Sequence, residues 1–210
     1  MTSVAQHRRR GRPPKSEDGY SETRQTLIRE GVAALTEKGF VASGLEELLA
    51  RAQVPKGSFY YYFPSKEAFG LVLIEAYAAY FNTKLARWLK DDSAPPAERL
   101  RHFIADACRG MERHGFRRGC LVGTLGQELG ALPDTYRTAL RDVLTGWEDR
   151  LTACLLPIDP TRARAWARFF WTGWEGAVLR ARLERSTAPL RAFEDGFLTL
   201  IAAEHASPPR

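Results

Sequence analysis

Residues 54–67 have the sequence VPKGSFYYYFPSKE, and this stretch decides the predicted fold. Three consecutive tyrosines cannot all face one core, because successive residues of a helix are turned by about 100°. We expect a short helix that buries Phe59 and Phe63. Its outward side chains are then an amine, a hydroxyl and two phenols, from Lys56, Ser58, Tyr60 and Tyr61. Such groups bind phosphate oxygens and base edges, so the stretch predicts a DNA recognition helix.

The residues before this stretch complete a helix-turn-helix pattern. A first helix runs from about Thr23 to Gly39, and Ser43 with Glu46 forms a capping box that starts a second, short helix. Pro55 suits the first position of the third helix, where its missing N–H has no cost. Two short helices joined by a tight turn are typical of DNA-binding proteins.

The rest of the chain also has helical periodicity, which predicts an all-α fold. After a long helix capped by Ser65, helices are expected over about 97–114, 121–129, 134–155, 161–185 and 189–204. We divide the chain into a disordered basic arm (1–20), a helix-turn-helix domain (21–66) and a larger ligand-binding and dimerisation domain (67–210). In the arm, Arg10 and Arg12 flank a glycine before proline, a pattern that fits the A·T minor groove or a solvated charged tail.

Composition limits the class of protein. The net charge of +6 and pI near 9.4 suit a polyanionic partner. Three scattered cysteines are wrong for a disulfide scaffold, and no apolar run is long enough to span a bilayer, so we expect a cytoplasmic protein. The four histidines show no metal-ligand spacing, so neither zinc nor another cofactor is predicted. Cys120 with His114 or Glu128 lacks a third orienting group, so no catalytic residue is assigned and an enzyme is not favoured.

The sequence resembles the TetR family of homodimeric transcriptional regulators from Thr23 to about Ala203. The segment 56–69, KGSFYYYFPSKEAF, carries the most specific part of that resemblance. HGFRRGCLVG (114–123), LGQE (125–128) and the WxGWEG pattern that begins at Trp171 resemble one subgroup of the family, which includes acrylate-responsive and N-ethylmaleimide-responsive repressors. The resemblance implies a repressor that leaves its DNA when a small ligand or electrophile enters the C-terminal domain.

At the DNA end, we expect contacts with base edges from Lys56, Gly57 and Tyr61. Contacts with phosphate are assigned to a second group, consisting of Ser43, Ser58, Tyr60 and Lys66. A single recognition helix seldom binds tightly enough for regulation, so we expect a dimer on a palindrome with half-sites about 34–36 Å, or multiples of a helical turn, apart. The dimer face is predicted on the last two helices, at Phe169, Gly173, Gly176, Arg180, Phe193 and Phe197; burial of these residues within one subunit is the alternative.

The effector site is predicted around Cys120. Arg117, Arg118 and a helix N-terminus should favour the thiolate of this cysteine. The other assigned ligand-binding residues are Tyr77, Phe116, Arg118, Trp171, Trp174, Glu175 and Arg182; ordinary aromatic core with a salt bridge is the alternative for the tryptophans and Glu175. The resemblance places Arg182 where relatives have a lysine near the cysteine, and an arginine can grip a carboxylate in bidentate fashion.

These features leave three functional hypotheses open. The first is a dimeric repressor released reversibly by acrylate or a similar small unsaturated carboxylate. The second is an electrophile or redox sensor that acts through modification of Cys120. The third, more distant, is a non-specific architectural DNA-binding protein. We expect no membrane partner. The effector is expected to shift the glycine-containing helix after Cys120, and through it the long helix that begins at Lys66.

Overall fold

A computed structural model describes residues 17–205, with side chains described from residue 20 to residue 203. Within that range the chain forms nine α-helices and no strand, which confirms the all-α prediction. They are α1 (Glu17–Lys38), α2 (Leu45–Ala52), α3 (Lys56–Tyr62), α4 (Lys66–Leu89), α5 (Pro96–Arg113), α6 (Leu121–Gly126), α7 (Asp134–Leu155), α8 (Ala163–Glu184) and α9 (Ala188–His205), with a 3-10 turn at Leu129–Ala131 after α6. None of the helices in this range is long and apolar enough to cross a membrane.

Several helix boundaries follow from local sequence signals. Gly39 ends α1 with a φ of 83°, and Gly115 follows α5 with a φ of 57°, both in the left-handed region that glycine adopts without strain. The Ser65 hydroxyl accepts a hydrogen bond of 3.0 Å from the amide of Ala68 and so caps α4. The tight turn before α3 places Gln53 at a φ of 54°. A non-glycine residue therefore takes the conformation that glycine usually has there.

The predicted capping box at α2 is wrong. The N-cap residue is Gly44, and no side chain caps this helix. Ser43 is buried, and its hydroxyl donates instead to the carbonyl oxygen of Gly39. The hydroxyl is satisfied by the turn between α1 and α2, so it is not available to the first amides of α2.

The helices form one continuous core with a small N-terminal unit. Phe59, Phe63 and Phe69 pack against one another at tilted and edge-to-face angles, with ring centroids 4.5 to 5.4 Å apart. This confirms that Phe59 and Phe63 are the buried side of α3. In the C-terminal part, α7 and α8 pack together, and α9, α5 and α4 pack around them. The short helix α6 packs against α1, α4 and α7, so it lies between the two parts of the molecule.

Candidate DNA-reading surface and candidate effector site

The outer face of α3 has the side chains that the sequence predicts. Tyr60 and Tyr61 are 54% and 70% exposed, and Lys56 and Gly57 are exposed as well. A Cβ atom added at Gly57 would meet nothing within 4 Å, so the backbone there is open to a partner. Lys56 forms an exposed ion pair of 3.2 Å with Glu46, which a phosphate or a base edge can replace at little cost because both side chains remain hydrated. Ser58 is half-buried.

Tyr20, which the sequence reasoning missed, packs against the recognition helix. Its ring centroid lies 5.1 Å from that of Tyr61 and 6.4 Å from that of Tyr62. The beginning of α1 therefore lies beside α3, and the chain enters the fold next to the exposed tyrosines. Arg10 and Arg12 lie outside the described residues. No sequence periodicity links residues 20 and 61, since only the tertiary fold brings them together.

Two of the predicted phosphate contacts are not supported. Ser43 is buried with its hydroxyl already bonded to Gly39. Lys66 donates from Nζ to the carbonyl oxygen of Phe40 at 3.0 Å, and its ammonium lies 4.4 Å from the centroid of the Phe40 ring. Lys66 thus fixes the α1–α2 turn to the start of α4, because a buried carbonyl needs a donor and an aromatic face attracts a cation.

A polar cluster lies beneath α6, within the aromatic core of the C-terminal part. We define the Glu175 cluster as Tyr77, Cys120, Trp147, Trp171 and Glu175. The tilted rings of Trp147 and Trp171 have centroids 5.2 Å apart, and the ring of Tyr77 lies 6.3 Å from that of Trp147. Glu175 is one turn after Trp171 on α8 and interacts with the Cys120 thiol. A Cβ atom at Gly123 would overlap the Glu175 carboxylate, so this glycine lets α6 lie directly on that group.

Three buried polar atoms of this cluster have no hydrogen-bond partner: Nε1 of Trp147, Nε1 of Trp171 and Oε1 of Glu175. Leaving a buried donor or acceptor unsatisfied costs about 1–3 kcal/mol, so three such atoms in adjoining side chains indicate a site for a polar ligand. Trp147 was missed because its spacing on α7 is that of an ordinary core residue. Only its buried, unpartnered N–H distinguishes it.

The predicted thiolate at Cys120 is wrong. Cys120 is 7% exposed, and burial raises the pKa of its thiol well above the usual range. The neighbouring Glu175 carboxyl raises that pKa further. Burial likewise raises the pKa of Tyr77 and of the Glu175 carboxyl itself. Desolvation and a neighbouring carboxylate therefore outweigh the arginines that the sequence places before this cysteine.

Arg118 and Arg182 lie outside the cluster. Arg118 Nε pairs with a carboxylate oxygen of Glu37 at 3.0 Å. Arg182 Nη2 donates to the carbonyl oxygens of Glu37 at 3.0 Å and of Arg117 at 3.2 Å. Burial opposes ionisation of Glu37, but hydrogen bonds from Arg118 and Arg51 hold its pKa below the usual value. Both arginines, which sequence reasoning assigned to the ligand, thus fasten the end of α1 to the segment before α6.

Of the remaining two assigned residues, Phe116 lies outside the cluster and Trp174 borders it. Phe116 is half-buried in the loop after α5, where it has a φ of 58°. Trp174 is buried on α8, with its ring centroid 6.4 Å from Trp171, 5.1 Å from Phe103 and 5.7 Å from Phe170. Helical spacing thus places Trp171 and Trp174 side by side, as the sequence predicted, and Trp174 continues the aromatic core toward α5.

Contacts on both sides of α6 join it to the helix-turn-helix unit. Before α6, the amide of Gly119 donates to the carbonyl oxygen of Thr36 at 3.0 Å. After α6, Glu128 Oε2 accepts hydrogen bonds from the amides of Phe40 at 2.7 Å and of Val41 at 3.4 Å. We call the contacts of Gly119 and Glu128 with α1 and its following turn the α1–α6 bridge. A shift of α6 must stretch this bridge or move α1.

Two surface clefts lie away from the Glu175 cluster. One of about 470 Å³ is lined by residues of α2 and of the turn before α3. The other, of about 540 Å³, is lined by residues of α4 and α7 together with Asp92 and Arg99. No group of three possible metal ligands comes together in the described part of the chain.

The predicted dimer face is partly used inside the subunit. Phe197 is 2% exposed and packs on Phe170, and Phe193 covers Gly173 so closely that a Cβ there would overlap its ring. These three positions therefore serve α8–α9 packing, because residues spaced by three or four on α9 face α8 first. Phe169 is 53% exposed, and Leu183, further along the same face of α8, is 76% exposed. Gly176 and Arg180 lie exposed between them, with Arg180 paired to Glu184 at 2.7 Å.

Comparison with known proteins agrees with this geometry. Residues 27–71 match the family model for bacterial regulatory proteins of the tetR family, and residues 96–197 match the model for a tetracyclin repressor-like C-terminal domain. The chain is 50% identical over 202 residues to the transcriptional regulator AcuR of Cereibacter sphaeroides, an alignment that covers 93% of this chain and 92% of AcuR. The chain belongs to the TetR family.

A second relative and a solved structure support the same assignment. The chain is 33% identical over 182 residues to the HTH-type transcriptional repressor NemR of Escherichia coli, over 80% of this chain and 88% of NemR. A crystal structure of the regulatory protein TetR from Rhodobacter sphaeroides superposes with a TM-score of 0.80 at 49% identity, covering 83% of this chain and 96% of that one. This TetR-family member is a transcriptional regulator with a helix-turn-helix, as the sequence predicted.

Proposed function

We propose that this TetR-family repressor binds a palindromic operator as a homodimer and releases it when acrylate, or a similar small unsaturated carboxylate, enters the Glu175 cluster. The observation that carries the proposal is the set of three unpartnered polar atoms in that cluster. Two indole N–H groups are suitable donors for a carboxylate, and the aromatic faces around them suit an unsaturated carbon skeleton. The subgroup that the sequence resembles includes acrylate-responsive repressors, which supports this class of effector.

The proposed DNA contacts come from residues of α3 that are exposed or half-buried. Lys56, Gly57 and Tyr61 would read base edges, and Ser58 and Tyr60 would bind phosphate. The ring of Tyr20 on α1 lies beside that of Tyr61 on α3, and we also propose that Arg10 and Arg12 bind an adjacent minor groove. The dimer would form through Phe169, Gly176 and Leu183 on α8. Their apolar surface is exposed to solvent in the single chain, and a partner subunit would bury it.

Release would pass through α6. Its six residues include two glycines, each of which costs a helix about 0.8–1 kcal/mol relative to alanine, so it is easily displaced. A ligand beside Glu175 pushes against Gly123, and α6 then moves the α1–α6 bridge. This route reaches the recognition helices through α1 as well as α4 and changes their separation in the dimer. A transcriptional regulator of this kind needs no catalytic group, and we expect it in the cytoplasm with its DNA.

A mobility-shift titration on the promoter region next to its own gene tests the proposal. We expect acrylate to release the operator, and removal of acrylate by dialysis to restore binding. Retention of the shifted band at saturating acrylate would contradict the effector assignment. Affinity that depends on salt and not on sequence would instead indicate an architectural DNA-binding protein.

The electrophile-sensor hypothesis predicts a different result in the same assay. A thiol whose pKa is raised by burial reacts slowly, since the thiolate is the nucleophile. We therefore expect Cys120→Ser to retain release by acrylate. Loss of release in that variant, with operator affinity unchanged, would favour a covalent role for the thiol.

A further inference from the structure

An effector carboxylate in the Glu175 cluster would lie beside a second carboxylate and be repelled by it. Oε1 of Glu175 is shut off from solvent and has no hydrogen-bond partner, and its other oxygen lies against the backbone of α6 at Gly123. A second carboxylate brought beside it would put two like charges into a buried space. Two carboxylates that share a buried site hold one proton between them, because both cannot be ionised together.

The groups around Glu175 supply hydrogen-bond donors but no positive charge. Tyr77 from α4 and Cys120 from the start of α6 face it, and burial raises the pKa of both, so both stay neutral near pH 7. From α7 and α8 come the uncharged indoles of Trp147 and Trp171.

The charged groups on neighbouring elements are engaged elsewhere. Arg118, in the segment before α6, and Arg182, on α8, are bonded to Glu37 and to main-chain carbonyls. From α5 and α9, Cys108, Arg191 and Glu194 interact with one another. The side chains that interact with the Glu175 carboxyl are thus the neutral Cys120 thiol and the neutral Tyr77 phenol.

We propose that the effector carboxylate binds together with one proton, which the Glu175 carboxyl and the effector share. This proposal rests on the proposed function and adds a specificity-determining role for Glu175. When Glu175 is ionised beforehand, the balance is one effector anion and one proton taken up from solvent for each site filled, with no bond to carbon made or broken; when it is already protonated, the effector anion alone binds. Glu175 acts as a donor to the effector in the complex, beside the two indole N–H groups.

The burial of Glu175 makes this uptake favourable. Desolvation raises the pKa of its carboxyl, and the Cys120 thiol, which donates to the ionised form, offsets part of that shift. Because its pKa is raised, protonating this carboxyl near neutral pH costs less free energy than protonating a fully hydrated carboxyl. Protein with an ionised Glu175 must take up the proton on binding. The apparent affinity for acrylate should then fall as pH rises above the pKa of the free carboxyl, toward a limit of about tenfold per pH unit.

The test uses the full-length protein and acrylate. Isothermal titration calorimetry between pH 6 and pH 9 should show the dissociation constant rising with pH, toward about tenfold per pH unit. At pH 8, titrations in two buffers of different ionisation enthalpy should give an uptake close to one proton per site. A dissociation constant that is independent of pH across this range would overturn the proton coupling and leave the effector assignment intact. Absence of binding at every pH would overturn both.

Two variants assign the proton to Glu175. Glu175→Gln keeps the shape and offers an N–H donor at every pH, so its affinity for acrylate should not vary with pH and should exceed that of the wild type at pH 9. The control is His114→Gln, which removes another ionisable side chain, an imidazole in the loop before α6 whose pKa is lowered by burial and by Arg118, and should keep the full pH dependence. Persistence of the pH dependence in Glu175→Gln would overturn the proposal. If Glu175→Gln does not fold, the number of protons that the wild type takes up on binding acrylate, measured in the two buffers, tests the proposal.

Discussion

Two short helices, α3 and α6, are the proposed places of DNA reading and effector sensing, and they present their residues in opposite ways. On α3 the working side chains are exposed, and Tyr60, Tyr61 and Lys56 project from a helix anchored by buried phenylalanines. On α6 the working surface is buried, and its important feature is an absent side chain, since Gly123 lets the helix lie on the Glu175 carboxylate. A surface that reads a partner can be recognised locally, whereas a buried sensor depends on what other helices bring to it.

Removing an exposed side chain of α3 should give the largest effect. We expect Tyr61→Ala or Lys56→Ala to weaken operator binding by at least about 30-fold, because each good base contact contributes about 1–3 kcal/mol and a dimer uses it twice. The thermal transition and acrylate affinity should be unchanged. Mobility-shift titration, differential scanning calorimetry and calorimetric acrylate binding measure the three quantities. An operator affinity equal to that of the wild type in both variants would refute the assignment of α3.

Adding a methyl group to α6 should have the next largest effect. Gly123→Ala places a Cβ on the Glu175 carboxylate, and overpacking of this kind costs about 1–3 kcal/mol. We expect a lower free energy of unfolding and a loss of acrylate binding of about tenfold or more. The matched control is Gly126→Ala in the same helix, where a Cβ meets nothing within 4 Å and alanine favours the helix. Equal behaviour of the two variants in urea unfolding and acrylate titration would refute the close contact at Gly123.

Removing one contact of the α1–α6 bridge should have a smaller effect. It should separate acrylate binding from operator release. Glu128→Ala removes the acceptor of the Phe40 and Val41 amides, which should lower the free energy of unfolding by about 1–3 kcal/mol. Acrylate affinity should stay close to that of the wild type, while operator release at saturating acrylate becomes incomplete. The exposed neighbour Gln127→Ala is the control and should behave as the wild type. Full release in Glu128→Ala would show that the signal does not need this contact.

The sequence predicted α3 well and the effector site only in part, for a physical reason. Exposure of Tyr60 and Tyr61 follows from helical geometry over a few residues, and so does burial of Phe59. Cys120 and Glu175 lie together as predicted, but the predicted thiolate was wrong because charges nearby in sequence are not those nearby in space. Arg118 turns to Glu37, while Glu175, far along the chain, lies against the thiol.

Residues that join distant helices were the least predictable. Tyr20 and Trp147 have no local signal beyond ordinary core spacing, and Arg182 was assigned to the effector because a guanidinium suits a carboxylate. In the structure that guanidinium satisfies two main-chain carbonyls at the end of α1 and before α6. The demand of buried carbonyls for donors, which a linear sequence does not show, decided its position.

Amide hydrogen exchange on the dimer, with and without acrylate, tests the coupling through α6 most directly. The informative amides are those of Gly119, Phe40 and Val41, whose hydrogen bonds form the α1–α6 bridge. We predict that saturating acrylate accelerates exchange at these amides while the amide of Phe63, bonded within the recognition unit, keeps its protection. Unchanged protection at all three bridge amides, in protein that acrylate releases from its operator, would contradict transmission through α6.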